Sequence, residues 1–505
     1  MNLRTYIPYC LALLFGALLP LAFAPYPIWP LAMVSPALLL WLWEKTANPK
    51  SACALGFCFG LGFFGVGVSW VFVSIHHYGN TSLPLAVLIT ALFVMLLALF
   101  IAVQGYVNKR FFDPRLQPFQ YLAFPGLWVG FEWLRSVVLS GFPWLYLGYA
   151  GLDTPLEGYG PLGSVYAISW IFALHSVALR ILCTDICKYQ PKKIGAFLLI
   201  ACLWIVGSYL QHYPFVKALA KNYTVSLVQG NVEPFDKFTR EDPIGSTEKI
   251  YGTLTQKHWD DDLIIWPEGA IPLPLPYADA YVKHLDEQAR QHGSTLMTGI
   301  QVIDKAGHDY NALIALGLGQ GLYYKVHLVP FGDFLPFDAW LRGLIGFFDL
   351  PMSSFKAGPK NQPLIHTPTL GLNPLICYEI AFPEQVRHTL RNSDAIINIS
   401  EDGWFGRSLG PHQHLQIARM RALETGRTVL RATTSGLTAI IDPFGHIVAE
   451  APPFEATVLS GTFQAMQGTT PWIRWGLWPL LLIVGLGLVL SKALLDWRGF
   501  VMLRG

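Results

Sequence analysis

The sequence predicts two architectures in one chain: a multi-pass α-helical membrane bundle of eight spans and an α/β layered domain. Three observations predict this. Of the 505 residues, 53% are hydrophobic and 13% charged, with a mean hydropathy of +0.40, a balance far from that of an average soluble protein. The apolar residues gather into long runs over roughly the first 210 positions and again near the end, which is the pattern of membrane spans. Between 222 and 467 the pattern changes to short apolar strands separated by polar turns and helical stretches, as in a layered α/β domain. The formal net charge of +2 leaves no electrostatic footprint for nucleic acid.

The spans come first. Seven apolar runs, at 7–24, 28–43, 52–75, 83–107, 120–139, 162–183 and 194–210, place a membrane domain within 1–215, and an eighth span falls within 472–496, followed by a tail at 497–505. Proline and glycine interrupt several of them, which neighbouring helices in a bundle tolerate. The first run is read as an anchor rather than a cleaved signal, because Arg4 alone precedes it and further spans follow. Lys and Arg alternate from loop to loop. Arg4, Lys45, Lys50, Lys109, Arg110, Arg115, Lys188, Lys192, Lys193, Arg498 and Arg504 lie on one side, whereas loops 25–27, 76–82 and 140–160 hold neither residue. The positive side is cytoplasmic, so both termini are expected there and 222–467 is expected outside, in an oxidising compartment.

Two features of the membrane part carry charge or aromatic rings. Glu132 and Arg135, at i and i+3 in the fifth run, are expected to form a structural ion pair. The loop 140–160 holds Phe142, Trp144, Tyr146, Tyr149 and Tyr159 and is expected to form an interfacial aromatic belt.

In the polar domain, strands are expected at 224–231, 263–269, 295–300, 311–316, 375–377, 395–400, 428–434, 437–441 and 456–462, with helices at 278–292, 383–392 and 412–426. Ligand groups in such sheets collect at strand ends. Three chemically useful residues sit there. Glu268 follows Leu263-Ile-Ile-Trp-Pro, Lys325 follows Leu322-Tyr-Tyr, and Cys377 closes Leu375-Ile. Cys377 is the one cysteine between 222 and 467; the other six lie in or beside apolar runs. A lone thiol cannot form an internal disulfide, and most free cysteines are small buried hydrophobes. A thiol nucleophile needs a base for its proton and a positive group for the oxyanion. Buried glutamate and lysine supply those roles. Read singly, Glu268 also suits a helix cap and Lys325 a solvated strand position.

Taken together, Trp266-Pro-Glu268, Lys325-Val-His-Leu-Val-Pro-Phe-Gly-Asp333 and Ile376-Cys377-Tyr378-Glu379 resemble the Glu-Lys-Cys triad blocks of the nitrilase superfamily. Val228-Gln-Gly-Asn231, Phe347-Phe-Asp-Leu-Pro-Met-Ser-Ser-Phe355 and Asn398-Ile-Ser-Glu-Asp-Gly-Trp404-Phe405-Gly406 resemble the flanking blocks of its membrane-embedded branch, the apolipoprotein N-acyltransferases. The eight-span frame is similar too, so the resemblance covers essentially the whole chain.

The resemblance implies an αββα sandwich over 222–467, in the bacterial inner (cytoplasmic) membrane with the catalytic domain on the periplasmic side. It implies a ping-pong acyl transfer. Cys377 takes a fatty acyl chain from a membrane phospholipid, typically phosphatidylethanolamine, as a thioester, with Glu268 as general base and Lys325 stabilising the oxyanion. The acceptor is the α-amine of the diacylglyceryl-cysteine that begins an apolipoprotein. No metal or cofactor is implied. Asp333, Tyr378 and Glu379 are the supporting residues; Phe238, Arg342 and Trp404 are the substrate-binding ones. The family usually carries Glu where this chain has Asp333, Trp where it has Phe238, and often Asn where it has Glu401. The apolar stretch 334–355 is expected to form a lid at the lipid interface, with Arg342 near a phosphate. A membrane-anchored amide hydrolase would use the same triad, since water can replace the amine; the many spans and the apolar stretch favour a lipid donor. A transporter or scaffold would be expected to show paired charges at mid-membrane, and the spans hold few.

Overall fold

The computed structural model describes residues 6–113, 121–183, 191–234, 236, 241–336, 354–390, 392–487 and 489. The chain forms two compact units, one of Met1–Ser69, Val87–Tyr213 and Arg474–Gly505, the other of Trp70–Ala86 and Pro214–Ile473.

The first unit is helical. Among the described residues, four helices are long and apolar enough to cross a membrane: Pro49–Gly67, Leu83–Phe111, Pro155–Leu182 and Pro191–Gln211. The runs expected to span at 28–43 and 120–139 form 15-residue helices, Leu31–Lys45 and Ala123–Val137. At 1.5 Å per residue each is about 22 Å long, short of a ~30 Å hydrocarbon core. The first run gives the short apolar helix Ile7–Ala22, and the last described run gives Trp478–Gly487. The run at 52–75 also stops early. Its helix ends at Gly67, where Val68 leaves helical geometry, and Trp70–Ala86 belongs to the second unit.

Two expectations for this unit are corrected. Glu132 accepts hydrogen bonds from Trp128 Nε1 at 3.0 Å and Leu147 N at 2.8 Å. Arg135 lies over the rings of Phe64 and Tyr146 at 5.0 and 5.1 Å. Each charge is thus held by neighbouring groups; the two attract one another but make no direct ion-pair contact. Trp144, Tyr146 and Tyr149 are buried and Tyr146 stacks on Tyr149, so these rings pack a core rather than forming a belt.

The second unit is built on two sheets. In chain order the strands are β1 Lys217–Gln229, β2 Leu263–Ile265, β3 Ile271–Pro274, β4 Thr295–Ile303, β5 Asp309–Gly317, β6 Leu322–Tyr324, β7 Ile365–His366, β8 Gly371–Ile376, β9 Ala395–Ser400, β10 Val429–Thr433, β11 Ala439–Ile441, β12 Ile447–Glu450 and β13 Thr457–Gln467. The first sheet runs β13-β1-β2-β4-β5-β6, with β3 added to β4; the second runs β12-β11-β10-β9-β8-β7. In both, parallel strands form the centre and antiparallel strands the flanks. The central strands are continuous apolar runs, as burial on both faces demands: Leu263–Ile265 and Ala395–Ser400 are buried throughout.

The sheets meet through β1 on β10 and β5 on β8. The helix Leu275–His292 packs on β4 and β5, and Leu409–Thr425 packs on β10, giving the helix–sheet–sheet–helix layering. Local sequence sets the helix limits. Leu275–His292 has Pro in its first turn and ends at Gly293, φ 75°, the usual left-handed C-terminal stop. Ser408 caps Leu409–Thr425 through Gly410 N, and Gly426 ends it at φ 62°.

Candidate active site

Strands β2 and β6 of the first sheet and β8 of the second deliver their C-terminal ends to one region of the second unit. Glu268 lies three residues beyond β2 and is 4% exposed; Lys325 directly follows β6 and is 1% exposed; Cys377 directly follows β8 and is 9% exposed. Lys325 Nζ stands 3.1 Å from Glu268 Oε1 and 2.8 Å from Asp333 Oδ2. The Cys377 thiol feels both the Glu268 and the Lys325 charge. The three residues expected to act together are therefore assembled, with Asp333 as a fourth member.

Each is fixed from several sides. Glu268 accepts from Asn311 Nδ2 at 2.7 Å and from the backbone N–H of Glu401 at 2.9 Å. Its turn lies against β4 at Gly299, where an added Cβ would stand 2.7 Å from Glu268 Cα; only glycine permits that approach. Lys325 N donates to Asn311 O at 2.8 Å, so Asn311 ties the lysine backbone to the glutamate side chain. Asp333 Oδ2 also accepts from Val329 N at 2.8 Å, which folds the carboxylate back over Lys325. The shorter aspartate thus still reaches the ammonium directly.

Cys377 has φ 52°, a left-handed conformation that costs a non-glycine residue roughly 1–2 kcal/mol. A carboxylate beneath the turn holds it there. Glu379 is fully buried and accepts from Ile376 N at 2.8 Å, Val326 N at 2.7 Å, His327 N at 3.1 Å, Gln385 Nε2 at 2.9 Å and Tyr323 OH at 3.0 Å. It therefore ties the cysteine turn to the lysine strand. Tyr378 packs edge-on against His327 and Phe382, and His327 stacks on Phe382 at 3.6 Å.

The electrostatics follow from burial and neighbours. Burial, then the Glu268 carboxylate, push the Cys377 thiol well up, and Lys325 only partly opposes them. The resting sulfur is thus a thiol and needs a base. Burial alone would lower Lys325, but Asp333 and Glu268 overcome it and hold the ammonium well above its ordinary range. Burial raises Asp333 against the pull of Lys325. The arrangement offers a carboxylate to take a proton, a thiol to give one and a fixed positive charge for a developing oxyanion.

Trp404 is half-buried in the turn after β9. Its carbonyl accepts from Ser74 Oγ at 2.8 Å, and its ring meets Tyr78 edge-on at 5.8 Å. Trp70 Nε1 donates to Gln413 Oε1 at 3.1 Å, and the Trp70 ring packs on Phe405 at 4.7 Å. The segment Trp70–Tyr78 thereby supports the Trp404–Phe405 turn. Phe238 and Arg342 lie outside the described residues, as does most of the apolar stretch 334–355. Sequence reasoning missed Asn311, which shows only as a polar residue opening an apolar strand, and the Trp70–Tyr78 support.

Two family models match the chain: "Apolipoprotein N-acyltransferase N-terminal domain" over residues 15–178 and "Carbon-nitrogen hydrolase" over 224–472. Among curated relatives, the apolipoprotein N-acyltransferase of Coxiella burnetii is 45% identical over 95% of this chain and 99% of its own length. That of Azotobacter vinelandii is 42% identical over 96% and 95%. That of Pseudomonas syringae is 40% identical over 94% of both chains.

Proposed function

Because the chain belongs to the apolipoprotein N-acyltransferase family, we propose that Cys377, Glu268 and Lys325 carry out N-acylation of apolipoproteins through a cysteine thioester. The enzyme is membrane-embedded and acts in lipoprotein maturation. The observation that carries the assignment is the convergence of one thiol, one carboxylate and one ammonium, all buried, at strand ends of two sheets.

The chemistry proceeds in two halves. Glu268 takes the Cys377 proton as sulfur attacks the ester carbonyl of a phospholipid, phosphatidylethanolamine being the expected donor. The oxyanion forms beside Lys325. Its collapse breaks the ester C–O bond, and Glu268 returns the proton to the leaving oxygen, releasing a lysophospholipid. The α-amine of the diacylglyceryl-cysteine of an apolipoprotein then attacks the thioester. Glu268 takes the amine proton, the second oxyanion again forms beside Lys325, and the sulfur departs and is reprotonated. Each half needs the same charge placed at the same point, so one fixed lysine serves both. Asp333 and Glu379 hold Lys325 and Cys377 in register, and Tyr378 and Trp404 line the approach. The residues present need no metal or cofactor for these steps.

The topology that suits this chemistry has eight membrane crossings, the domain 222–467 on the periplasmic side and both termini in the cytoplasm. The Lys and Arg distribution supports it. An alkaline phosphatase fusion after Leu210 would then be active and one after Cys183 inactive.

Intact-protein mass spectrometry with and without phosphatidylethanolamine tests the chemistry. The expected result is a hydroxylamine-sensitive gain of one acyl chain, absent in Cys377→Ala and discharged by an amine-bearing diacylated peptide. Acylation that persists in Cys377→Ala would refute the nucleophile. Discharge to free fatty acid at the same rate with and without peptide would favour an amide hydrolase.

A further inference from the structure

A second group of polar side chains lies beneath the cysteine turn and has no part in the steps above. Asn398, Ser400, Asp402, His414 and Arg431 are all fully buried. Arg431 Nη2 donates to Asp402 Oδ2 at 2.6 Å and to His414 Nδ1 at 3.0 Å, and Arg431 Nη1 donates to Asn398 Oδ1. Ser400 Oγ donates to Asp402 Oδ1 at 2.7 Å. His414 Nε2 stands 3.3 Å from the carbonyl oxygen of Cys377.

The proton positions follow from what each atom can do. A carbonyl oxygen only accepts, so His414 Nε2 carries a proton. Nδ1 stands 3.0 Å from both Arg431 Nη2 and Asp402 Oδ1, so it faces a donor and an acceptor at once. Asp402 Oδ1 also accepts from Ser400 Oγ. Burial and Arg431 hold His414 below its ordinary range against the pull of Asp402. Asp402 is buried too, but Arg431 and His414 hold its carboxyl well below the usual range.

We propose that Arg431 and Asp402 hold the His414 ring so that its Nε2–H donates to the Cys377 carbonyl, and that this N–H makes His414 a positioning residue for Cys377. The thiol turn then has two clamps. Glu379 holds the N–H of Ile376 on one side, and His414 holds the carbonyl of Cys377 on the other. The same turn after β9 supplies the Glu401 N–H to Glu268. Arg431 therefore anchors, through Asp402, one backbone segment that sets the base and one ring that sets the nucleophile. The proposal rests on Cys377 being the nucleophile.

The test compares His414→Ala, His414→Gln and His414→Asn with the native full-length enzyme in detergent micelles, with Cys377→Ala alongside. The rate of acyl-enzyme formation from phosphatidylethanolamine is followed by intact mass. A glutamine amide reaches the place of Nε2 and can donate to the Cys377 carbonyl; an asparagine amide falls short. The expected result is a maximal rate about 100-fold lower for Ala and Asn, with phospholipid KM within about threefold, and recovery by Gln to within about tenfold of native. Gln no better than Asn, or Ala within threefold of native, would overturn the proposal. If Ala does not accumulate, Gln against Asn decides it. Failure of all three to fold would also overturn it, because a positioning role leaves the core able to form. Acylation of Cys377→Ala would instead sink the nucleophile assignment and leave His414 untouched.

Discussion

Replacing Glu379 by Gln is nearly isosteric and isolates what its second oxygen and its charge contribute. Five donors converge on the carboxylate, and the three backbone N–H groups among them cannot accept in return. An amide has one oxygen and one NH2. Its oxygen is best placed at Oε1, where it keeps Val326 N, His327 N and Gln385 Nε2. The NH2 then faces the N–H of Ile376, donor against donor. Leaving that buried N–H unpaired costs about 1–3 kcal/mol, and the bonds from Val326 and His327 each fall from charge-assisted to neutral strength, about 1 kcal/mol apiece. Burial already holds the Glu379 carboxyl above its ordinary value, so a neutral amide recovers part of this, leaving a net loss of about 2–3 kcal/mol. The local consequence matters more, because Ile376 precedes the cysteine whose φ is 52°. Thermal unfolding should fall accordingly, hydrogen exchange over 372–378 should rise, and acyl-enzyme formation should drop about 100-fold. Unchanged exchange over that peptide, with acylation within twofold of native, would show that Glu379 does not hold the turn.

Three further outcomes follow from the charges. Asp333→Asn leaves Lys325 with Glu268 as its one carboxylate partner among those described and should lower stability by about 2–4 kcal/mol, with a larger relative fall in acyl-enzyme rate than in phospholipid KM. Asn311→Asp exchanges a donor 2.7 Å from Glu268 for a like charge, and single-turnover acylation at neutral pH should fall at least about 100-fold; a rate near native would mean that Glu268 is not held by Asn311. For Cys377 the folded value is raised, so the folded state keeps a proton that the unfolded state loses above the ordinary thiol range, about 8.5. That contribution is complete below this pH and is lost as pH rises above it. Denaturation midpoints of native enzyme and Cys377→Ala should therefore diverge above about pH 8.5, with native falling faster; parallel curves would contradict a buried, protonated thiol.

The groups proposed to react were legible because strand ends are legible. Glu268, Lys325 and Cys377 each interrupt an apolar run at a turn, and a strand has too few residues to conceal such a break. Their supports were not. Asn311, His414 and Arg431 act on partners 43, 37 and 29 residues away, and nothing local announces such a pairing. The visible trace is a polar side chain inside a strand buried on both faces, as at Asn398 and Arg431, where an unpaired group would be too unfavourable to persist. The membrane part misled in the opposite way. An apolar run gives a span's composition but not its helical limits. Lys45 and Gly67 end helices that hydropathy alone would place elsewhere, and Trp144, Tyr146 and Tyr149 face a core that composition cannot tell from a lipid interface.

The arrangement of supports bears on how the reaction can use one site twice. In the proposed mechanism the two acyl transfers differ in nucleophile and leaving group, but both pass through an oxyanion on the same carbonyl carbon. What must not move between them is the relation of sulfur, ammonium and carboxylate. Glu379 links the cysteine turn to the strand of Lys325, Asn311 links that strand to Glu268, and Glu401 N links Glu268 to the turn that Asp402 and Arg431 anchor beneath Cys377. These bonds close a ring through both sheets. A ring constrains each member from two directions, so breaking any single bond should loosen the other reacting groups as well. Paired substitutions such as Glu379→Gln with His414→Asn should accordingly lose less than the sum of their separate losses. Strictly additive losses would mean that the two clamps act independently and that the ring carries no common constraint.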